Sequence, residues 1–489
     1  MDRLAGEAIA VLRGNDRGTW TRPSPRLYPH QWSWDAAFVA IGWAHLDPDR
    51  AVAELRSLLR GQWSTGMIPH IVFDPTVALG AYEPRHSRWA TAGLCPPDVP
   101  TSGICQPPVH ALALGRVREI AAERDDGSLA RVDRAIAAFY PRLADWHRWL
   151  HTARDPEGTG LVTIFHPWES GLDNSPRWDG ALAAVAPDGG PEEPRPDLSH
   201  VADASERPTD ADYRRYRALV RSLVDLGYDQ AAAHRRHPFR VADVLFTAVP
   251  AAADEVLADL AVVAGHPEAA DGHRADAALA RRGLDACWDP DRCAALDRDL
   301  VHDRWVTADT IAGFAPLIAG CDAGRARALV ERLRGPSYAG APGLRWAVPP
   351  STAVDDPAFD PRSYWRGPTW PVVTWLLWWA LDRRGVHGVA EPLRVAAIAQ
   401  LRETGCSEYA DPVTGRPLGS GAQSWTAAVA LDWLAREPVA AGPVAAAPAP
   451  PVVVTTPAPP VVTAGPPAPE PPPAARPEVA ASGGQGAGH

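Results

Sequence analysis

The sequence predicts an all-α fold, an (α/α)6 barrel of six helical hairpins with long loops and short β-strands at one mouth. Three observations lead there. About a dozen capped helical segments fill about 436 residues, short turns alternate with long loops rich in Trp and Pro, and strand-like runs are few and brief. Taken in order, helical periodicity runs over 2–13 and 34–46, and Asp47-Pro48 then opens the segment AVAELRSLLRGQW. The Asp side chain can accept from a free backbone N–H there, and Pro presets the first helical φ. Helices over 104–123 and 127–151 follow, Thr209 opens a segment reaching Leu226, and a further helix spans 240–264. Pro267 opens EAADGHRADAALARRGLDACW, and helices over 308–319, 322–334, 369–384, 387–404 and 423–436 complete the set.

The strand-like runs, Leu161 to Phe165, Ala294 to Leu296 and Leu344 to Val348, sit inside connections, which disfavours a parallel sheet. A helical solenoid is the competing architecture, and the sequence lacks the fixed-period repeat it needs. From Glu437 to His489 the chain is almost entirely Ala, Pro, Val and Gly, which cannot hold a packed core. A disordered tail over 437–489 is expected, leaving 1–436 as the folded domain.

Composition narrows the function. Hydrophobic residues make up 46% of the 489 and charged residues 22%, ample for a large core. The formal net charge of −11 is the wrong sign for displacing counterions from nucleic acid, so DNA and RNA are not expected partners. No run of apolar residues is long enough for a membrane span. The N-terminal MDRLAGEAIAVLRGND lacks the apolar core of a signal peptide. The six Cys, at 95, 105, 287, 293, 321 and 406, show neither CxxC pairs nor zinc spacing. Reduced thiols in a cytoplasmic protein are therefore expected, with no metal and no cofactor, and homo-oligomerisation is left open. All 48 basic residues are Arg, which with abundant Ala and Pro points to a GC-rich genome.

Tryptophan is the outlier, 20 residues against 9 Tyr and 8 Phe, and many lie beside Gly, Pro and charged residues. An indole offers a flat apolar face to a sugar ring and a hydrogen bond from its nitrogen, so such clusters in polar loops favour carbohydrate.

Four constellations carry the chemistry. Tyr28 precedes His30-Gln31-Trp32-Ser33-Trp34-Asp35 at a helix start, where Asp35 is either a first-turn helix acid or an acceptor for two sugar hydroxyls. The loop His166-Pro167-Trp168-Glu169-Ser170-Gly171-Leu172-Asp173-Asn174-Ser175-Pro176 is too rich in Gly and Pro for helix. Its acids either cap turns or, beside Trp in a dry loop, stay protonated near neutral pH. Ser363-Tyr364-Trp365-Arg366-Gly367-Pro368-Thr369-Trp370-Pro371 presents aromatics ahead of the apolar helix VVTWLLWWAL. Finally Glu408-Tyr409-Ala410-Asp411-Pro412 leads through Gly415 and Gly419 to Gln423-Ser424-Trp425. Two carboxyls are what glycoside hydrolysis requires. A separation of about 6.5–9.5 Å admits water and gives inversion, whereas roughly 5–5.5 Å gives retention.

In this order, and over essentially the whole folded region, the four motifs resemble those of the bacterial glucosylglycerate and mannosylglycerate hydrolases, related to glycoside hydrolase family 63. The resemblance implies that 1–436 is a catalytic domain performing inverting hydrolysis of an α-hexosyl-glycerate, a small-molecule glycoside. It places the general acid at Asp173, in GLDNSP, and the general base at Glu408, in EYADP. It lines the hexose pocket with Tyr28, Trp32, Trp34, Asp35, Gln106, Trp168, Gly171, Tyr364, Trp365 and Trp370, and completes the mouth with Gln423 and Trp425. The segment from Glu206 to Tyr213 resembles the family's glycerate-binding loop, so Arg207 and the Tyr213 hydroxyl are expected on the glycerate carboxylate. The alternative is that Arg207 pairs with Glu206 or Asp210 on the surface, with Arg214 and Arg215 as the next candidates. Residues 185–206, acidic and Pro-rich, read as a mobile lid, and the GC-rich composition favours glucose over mannose. Rival functions are a trehalase-type or oligosaccharide glucosidase, a sugar epimerase or isomerase on the same toroid, and a non-catalytic carbohydrate-binding protein.

Overall fold

The computed structural model describes residues 2–78, 80–190 and 194–436; the expected tail over 437–489 lies outside these. The described residues form fifteen α-helices. They are α1 (Arg3–Asn15), α2 (Ser33–Leu46), α3 (Pro48–Leu59), α4 (His110–Ala122), α5 (Ser128–Ala153), α6 (Asp179–Ala183), α7 (Asp210–Asp225), α8 (Gln230–Arg236), α9 (Val244–Val263), α10 (Ala270–Ala286), α11 (Ala315–Ala319), α12 (Ala323–Leu333), α13 (Pro371–Arg383), α14 (His387–Thr404) and α15 (Ser424–Ala435).

Six of them close a ring, because α2, α4, α9, α11, α13 and α15 each pack on the next and α15 returns to α2. The other members of the hairpins, α1, α3, α5, α10, α12 and α14, lie outside this ring. Sequence sets the division. The inner helices α2 and α13 are apolar all round and bury nearly every residue, as a helix must when it has neighbours on every side. The outer α3 instead buries Ala51, Val52, Leu55, Leu58 and Leu59 along one stripe. The (α/α)6 barrel expected from sequence is the observed fold.

Ring closure is secured at both ends. At one, Asn15 of α1 donates to the Ala422 carbonyl at 3.0 Å and to Ser424 Oγ at 2.9 Å, at the start of α15. At the other, buried Asp432 of α15 accepts from Arg116 Nε of α4 and Trp375 Nε1 of α13, and lies beside His45 Nε2 of α2, each at 2.9 Å. One carboxylate thus ties four inner helices.

All described strands are two residues long and antiparallel. The run at 161–165 contracts to Thr163–Ile164 and that at 294–296 to Ala294–Ala295. No strand forms at 344–348: Pro349 and Pro350 follow it, and the Arg345 amide is spent on the Pro412 carbonyl at 2.8 Å. The helix expected over 104–123 begins only at His110, because Pro107 and Pro108 cannot supply the amides of a preceding turn. The 240–264 helix begins at Val244, with Asp243 capping Leu245 and Phe246 and Val241–Ala242 joining a strand ladder. The segment opened by Thr209 is α7, closed by a capping box in which Thr209 and Asp212 exchange side-chain bonds. No helix among the described residues is long and apolar enough to cross a membrane.

Candidate active site

The inner helices α2, α13 and α15 begin at one mouth of the ring, and the sequence-predicted residues lie on their first turns and preceding loops, on the connections before α4 and α6, and around the start of α7. A cavity opens there, lined by Tyr28, Trp32, Trp34, Asp35, Gln106, Trp168, Gly171, Asp173, Arg207, Tyr213, Tyr364, Trp365, Glu408, Gln423 and Trp425. Of the predicted site residues, Trp370 alone lies off the lining. Its ring stacks behind Trp365, 3.5 Å between centroids and 7° between planes, and itself rests on Tyr409. Its indole nitrogen donates to the Tyr364 carbonyl at 3.1 Å. Trp370 therefore stiffens the wall that Trp365 presents.

The two acids sit in different electrostatic settings. Asp173 faces the cavity and is hydrogen-bonded to no other side chain among the described residues, while its backbone carbonyl accepts from Tyr216 Oη at 2.9 Å. Burial drives its carboxyl up to about 8; Arg207 opposes this and Glu408 reinforces it. Glu408 is fully buried, accepting from Tyr28 Oη at 2.7 Å on Oε1 and from the Ser420 amide at 3.0 Å on Oε2. Burial raises it too, but Arg207 and these two donors pull back toward the anion. Both carboxyls are raised on balance, and only Glu408 has hydrogen-bond donors from other residues that favour its anion. Gly419, at φ +66°, makes this possible, since a Cβ there would stand 2.3 Å from Glu408 Oε2.

The loops are locked to each other. Asn174 Oδ1 accepts from the Trp365 amide at 2.8 Å, and Arg366 grips Asp179 through two bonds of 2.8 and 2.7 Å, so the loop of Asp173 is fastened to the aromatic wall. Gly171, with φ +76°, lies where a Cβ would meet the Trp34 ring at 2.6 Å. Glu169, the other acid of that loop, is turned inward: Arg154 grips it with bonds of 2.9 and 2.5 Å, and the amides of Phe165 and Cys105 donate to it. For Glu169 the turn-holding role is the observed one.

Arg207 is not on the surface. It is 6% exposed, donates from Nη1 to Tyr28 Oη at 3.0 Å, and lies over the Tyr364 ring. Glu206 instead faces Arg362 and Arg416, and Asp210 pairs with Arg195, so the surface-pair alternative is overturned. Arg214 and Arg215 do not line the cavity. The contact of Arg207 Nε with Asp197 Oδ2 is long, 3.4 Å, as is that of Tyr213 Oη with the same oxygen. Burial raises Asp197, but Arg195 and Arg207 outweigh it and hold the carboxyl below its usual range.

Unspent hydrogen-bonding capacity also marks the cavity. Both side-chain atoms of Gln423 and the indole nitrogen of Trp425 are buried without a partner among the described residues. Buried polar groups are nearly always paired, so groups left over on a cavity wall are suited to ligand hydroxyls. Asp35, 4% exposed at the start of α2, has its carboxyl pushed well up by burial and by Glu408.

Sequence reasoning missed Leu27, His70, Ala81, Tyr82, Glu83, Pro196, Asp197 and His200, which complete the lining. Tyr82 packs edge-on to Trp32 at 5.0 Å, and His70 stacks on Trp168 at 6.2 Å. Pro196, Asp197 and His200 belong to the segment read as a lid; 191–193 of that segment lie outside the described residues.

Residues 28–426 match the family described as the mannosylglycerate hydrolase MGH1-like glycoside hydrolase domain. A glucosylglycerate hydrolase of Mycolicibacterium hassiacum is 45% identical over 437 residues, 88% of this chain and 98% of that one. A mannosylglycerate hydrolase of Rubrobacter radiotolerans is 41% identical over 441 residues, 88% of this chain and 97% of the other. Among solved structures, a glycoside hydrolase family 63 mannosylglycerate hydrolase from Thermus thermophilus, in complex with Tris and D-glycerate, superposes with a TM-score of 0.80 at 38% identity, covering 88% of this chain and all of that one.

Proposed function

Since the chain belongs to the MGH1-like glycoside hydrolase family, we propose that it hydrolyses an α-hexosyl-glycerate, glucosylglycerate in preference to mannosylglycerate, with inversion at the anomeric carbon. The observation that carries this reading is the pairing of Asp173, whose carboxyl meets no donor from another residue and is pushed up to about 8 by burial, with a donor-supported Glu408 on one cavity that also holds Arg207.

Asp173 gives its proton to the glycosidic oxygen as the C1–O bond breaks and glycerate leaves. Glu408 takes a proton from a water molecule as that oxygen bonds to C1 from the opposite face, so an α-glycoside yields a β-hexose. Solvent then returns Asp173 to its acid form and Glu408 to its base form. Trp34, Trp168, Trp365 and Trp425 supply stacking faces for the hexose, and Asp35, Gln106 and Gln423 hydrogen-bond its hydroxyls. Arg207 and Tyr213 hold the glycerate carboxylate, which competes with the weak Asp197 contact for the same donors. Residues 1–436 are the catalytic domain on this reading, with the cytoplasm as its compartment.

The deciding experiment incubates the enzyme with each hexosyl-glycerate and follows the first-formed anomer by NMR. Release of β-glucose from glucosylglycerate, faster than mannose from mannosylglycerate, is expected. First-formed α-sugar would overturn inversion, and sugar isomerisation without free glycerate would overturn hydrolysis.

A further inference from the structure

A second chemical cluster lies where α5 and α10 pack on α9. His147 and His151 stand one helical turn apart on α5 and so share a face. Asp254 of α9 reaches between them, with Oδ1 2.6 Å from His147 Nδ1 and Oδ2 2.7 Å from His151 Nε2. One ligand atom from each of the three lies within 4.8 Å of the others. A fourth donor approaches from α10, where His273 Nδ1 is 3.9 Å from Asp254 Oδ1. The far nitrogen of that ring lies 3.0 Å from Tyr140 Oη, the kind of outer partner that orients a metal-bound imidazole.

Charge makes the cluster unusual in this molecule. Buried Glu54, Glu169, Asp243 and Asp432 are each met by a guanidinium, from Arg50, Arg154, Arg177 and Arg116, whereas buried Glu408 has only hydroxyl and amide donors. Among the described residues no arginine lies within ion-pair distance of Asp254, and only imidazoles face it. A metal cation shared by this carboxylate and the rings around it would offset the cost of burying it. His151 and His273 are each 11% exposed at the side chain, which leaves solvent a path to the cluster.

We infer that His147, His151 and Asp254, with His273 as a fourth donor, form a site for a divalent transition cation of the zinc class that pins α5 and α10 to α9. Three imidazoles and one carboxylate suit Zn²⁺ or Co²⁺ and not Mg²⁺ or Ca²⁺, which take oxygen ligands. Zinc sits ~2.0–2.1 Å from such donors, so binding replaces the protons now shared between His and Asp, and the side chains part slightly. The expectation of no metal rested on cysteine spacing, which cannot reveal a His-x-x-x-His pair completed by another helix.

The test uses untagged, full-length enzyme dialysed against EDTA and titrated with Co²⁺ alone. One equivalent bound, a visible d–d absorption band and a raised Tm are expected. His151→Gln, at the solvent rim, is expected to abolish the band while leaving hexosyl-glycerate turnover at the apo level. His273→Gln, which spares both hydrogen bonds to Asp254, should weaken Co²⁺ by about tenfold or more. Folded wild-type enzyme that binds no Co²⁺, or binds it as well after both substitutions, would overturn the site and leave the cluster a hydrogen-bonded clamp.

Discussion

The hydroxyl of Tyr28 donates a 2.7 Å hydrogen bond to Oε1 of Glu408, joining residues 380 positions apart. The same hydroxyl receives Arg207 Nη1 at 3.0 Å, so a cation, a phenol and a carboxylate stand in line. Burial raises Glu408, and the Tyr28 bond is among the forces lowering it. Tyr28→Phe removes that force. A general base must be ionised, so the acidic limb of the kcat/KM profile should move to higher pH and kcat at neutral pH should fall by about tenfold. An acidic limb that stays in place would remove Tyr28 from the control of Glu408.

Asp173→Asn and Glu408→Gln should each lower kcat by about 10³-fold, within the range for lost acid or base catalysis. The basic limb of the wild-type profile should fall near pH 8, where Asp173 loses the proton it must give. Stability should move the other way. The folded pKa of Asp173 is raised above its unfolded value, so the stability this group contributes is lost as pH rises between roughly 4 and 8. Asn does not titrate. The Tm advantage of Asp173→Asn should therefore grow across that window and level off above it, as differential scanning calorimetry at several pH values would show.

Arg207→Ala should raise KM for glucosylglycerate by more than tenfold and leave KM for an uncharged aryl glucoside within about threefold, since only the first carries a carboxylate. Arg207 also lowers both Asp173 and Glu408, so both limbs of the pH profile should shift upward. Equal losses on both substrates would assign Arg207 to the hexose end of the cavity.

Glu169→Gln tests the acid that shares a loop with Asp173. Glu169 neutralises Arg154, which is 1% exposed, and removing one partner of a buried pair costs about 3–5 kcal/mol. Thermal melts should show a marked drop in Tm, with kcat per folded molecule at low temperature nearly unchanged. A large loss of kcat with Tm intact would reverse the roles of the two acids.

Much of this arrangement is written locally in the chain. Helix starts declare themselves through Asp47-Pro48 and Thr209, whose side chains and rings do the capping on their own. The motif residues cluster because each loop must present several groups at one helix start. What could not be read is whatever depends on neighbours from elsewhere. Trp370 and Trp365 look alike in YWRGPTW, and only packing against Tyr409 puts one behind the other. Asp197 and His200 are single polar residues in irregular chain, with no periodicity to flag them. Glu169 and Asp173 are four positions apart, and the difference between them is set by Arg154, which approaches from the end of α5.

The clasp of Asn15 onto the start of α15 has a bearing on synthesis. A nascent chain emerging from the ribosome displays the acid loop early but acquires Glu408, Gln423 and α15 only after the other inner helices have been made. Until that helix arrives, α1 has nothing to clasp, and the water-activating half of the reaction does not exist. Competence should therefore arrive all at once, with the same event that shuts the circle.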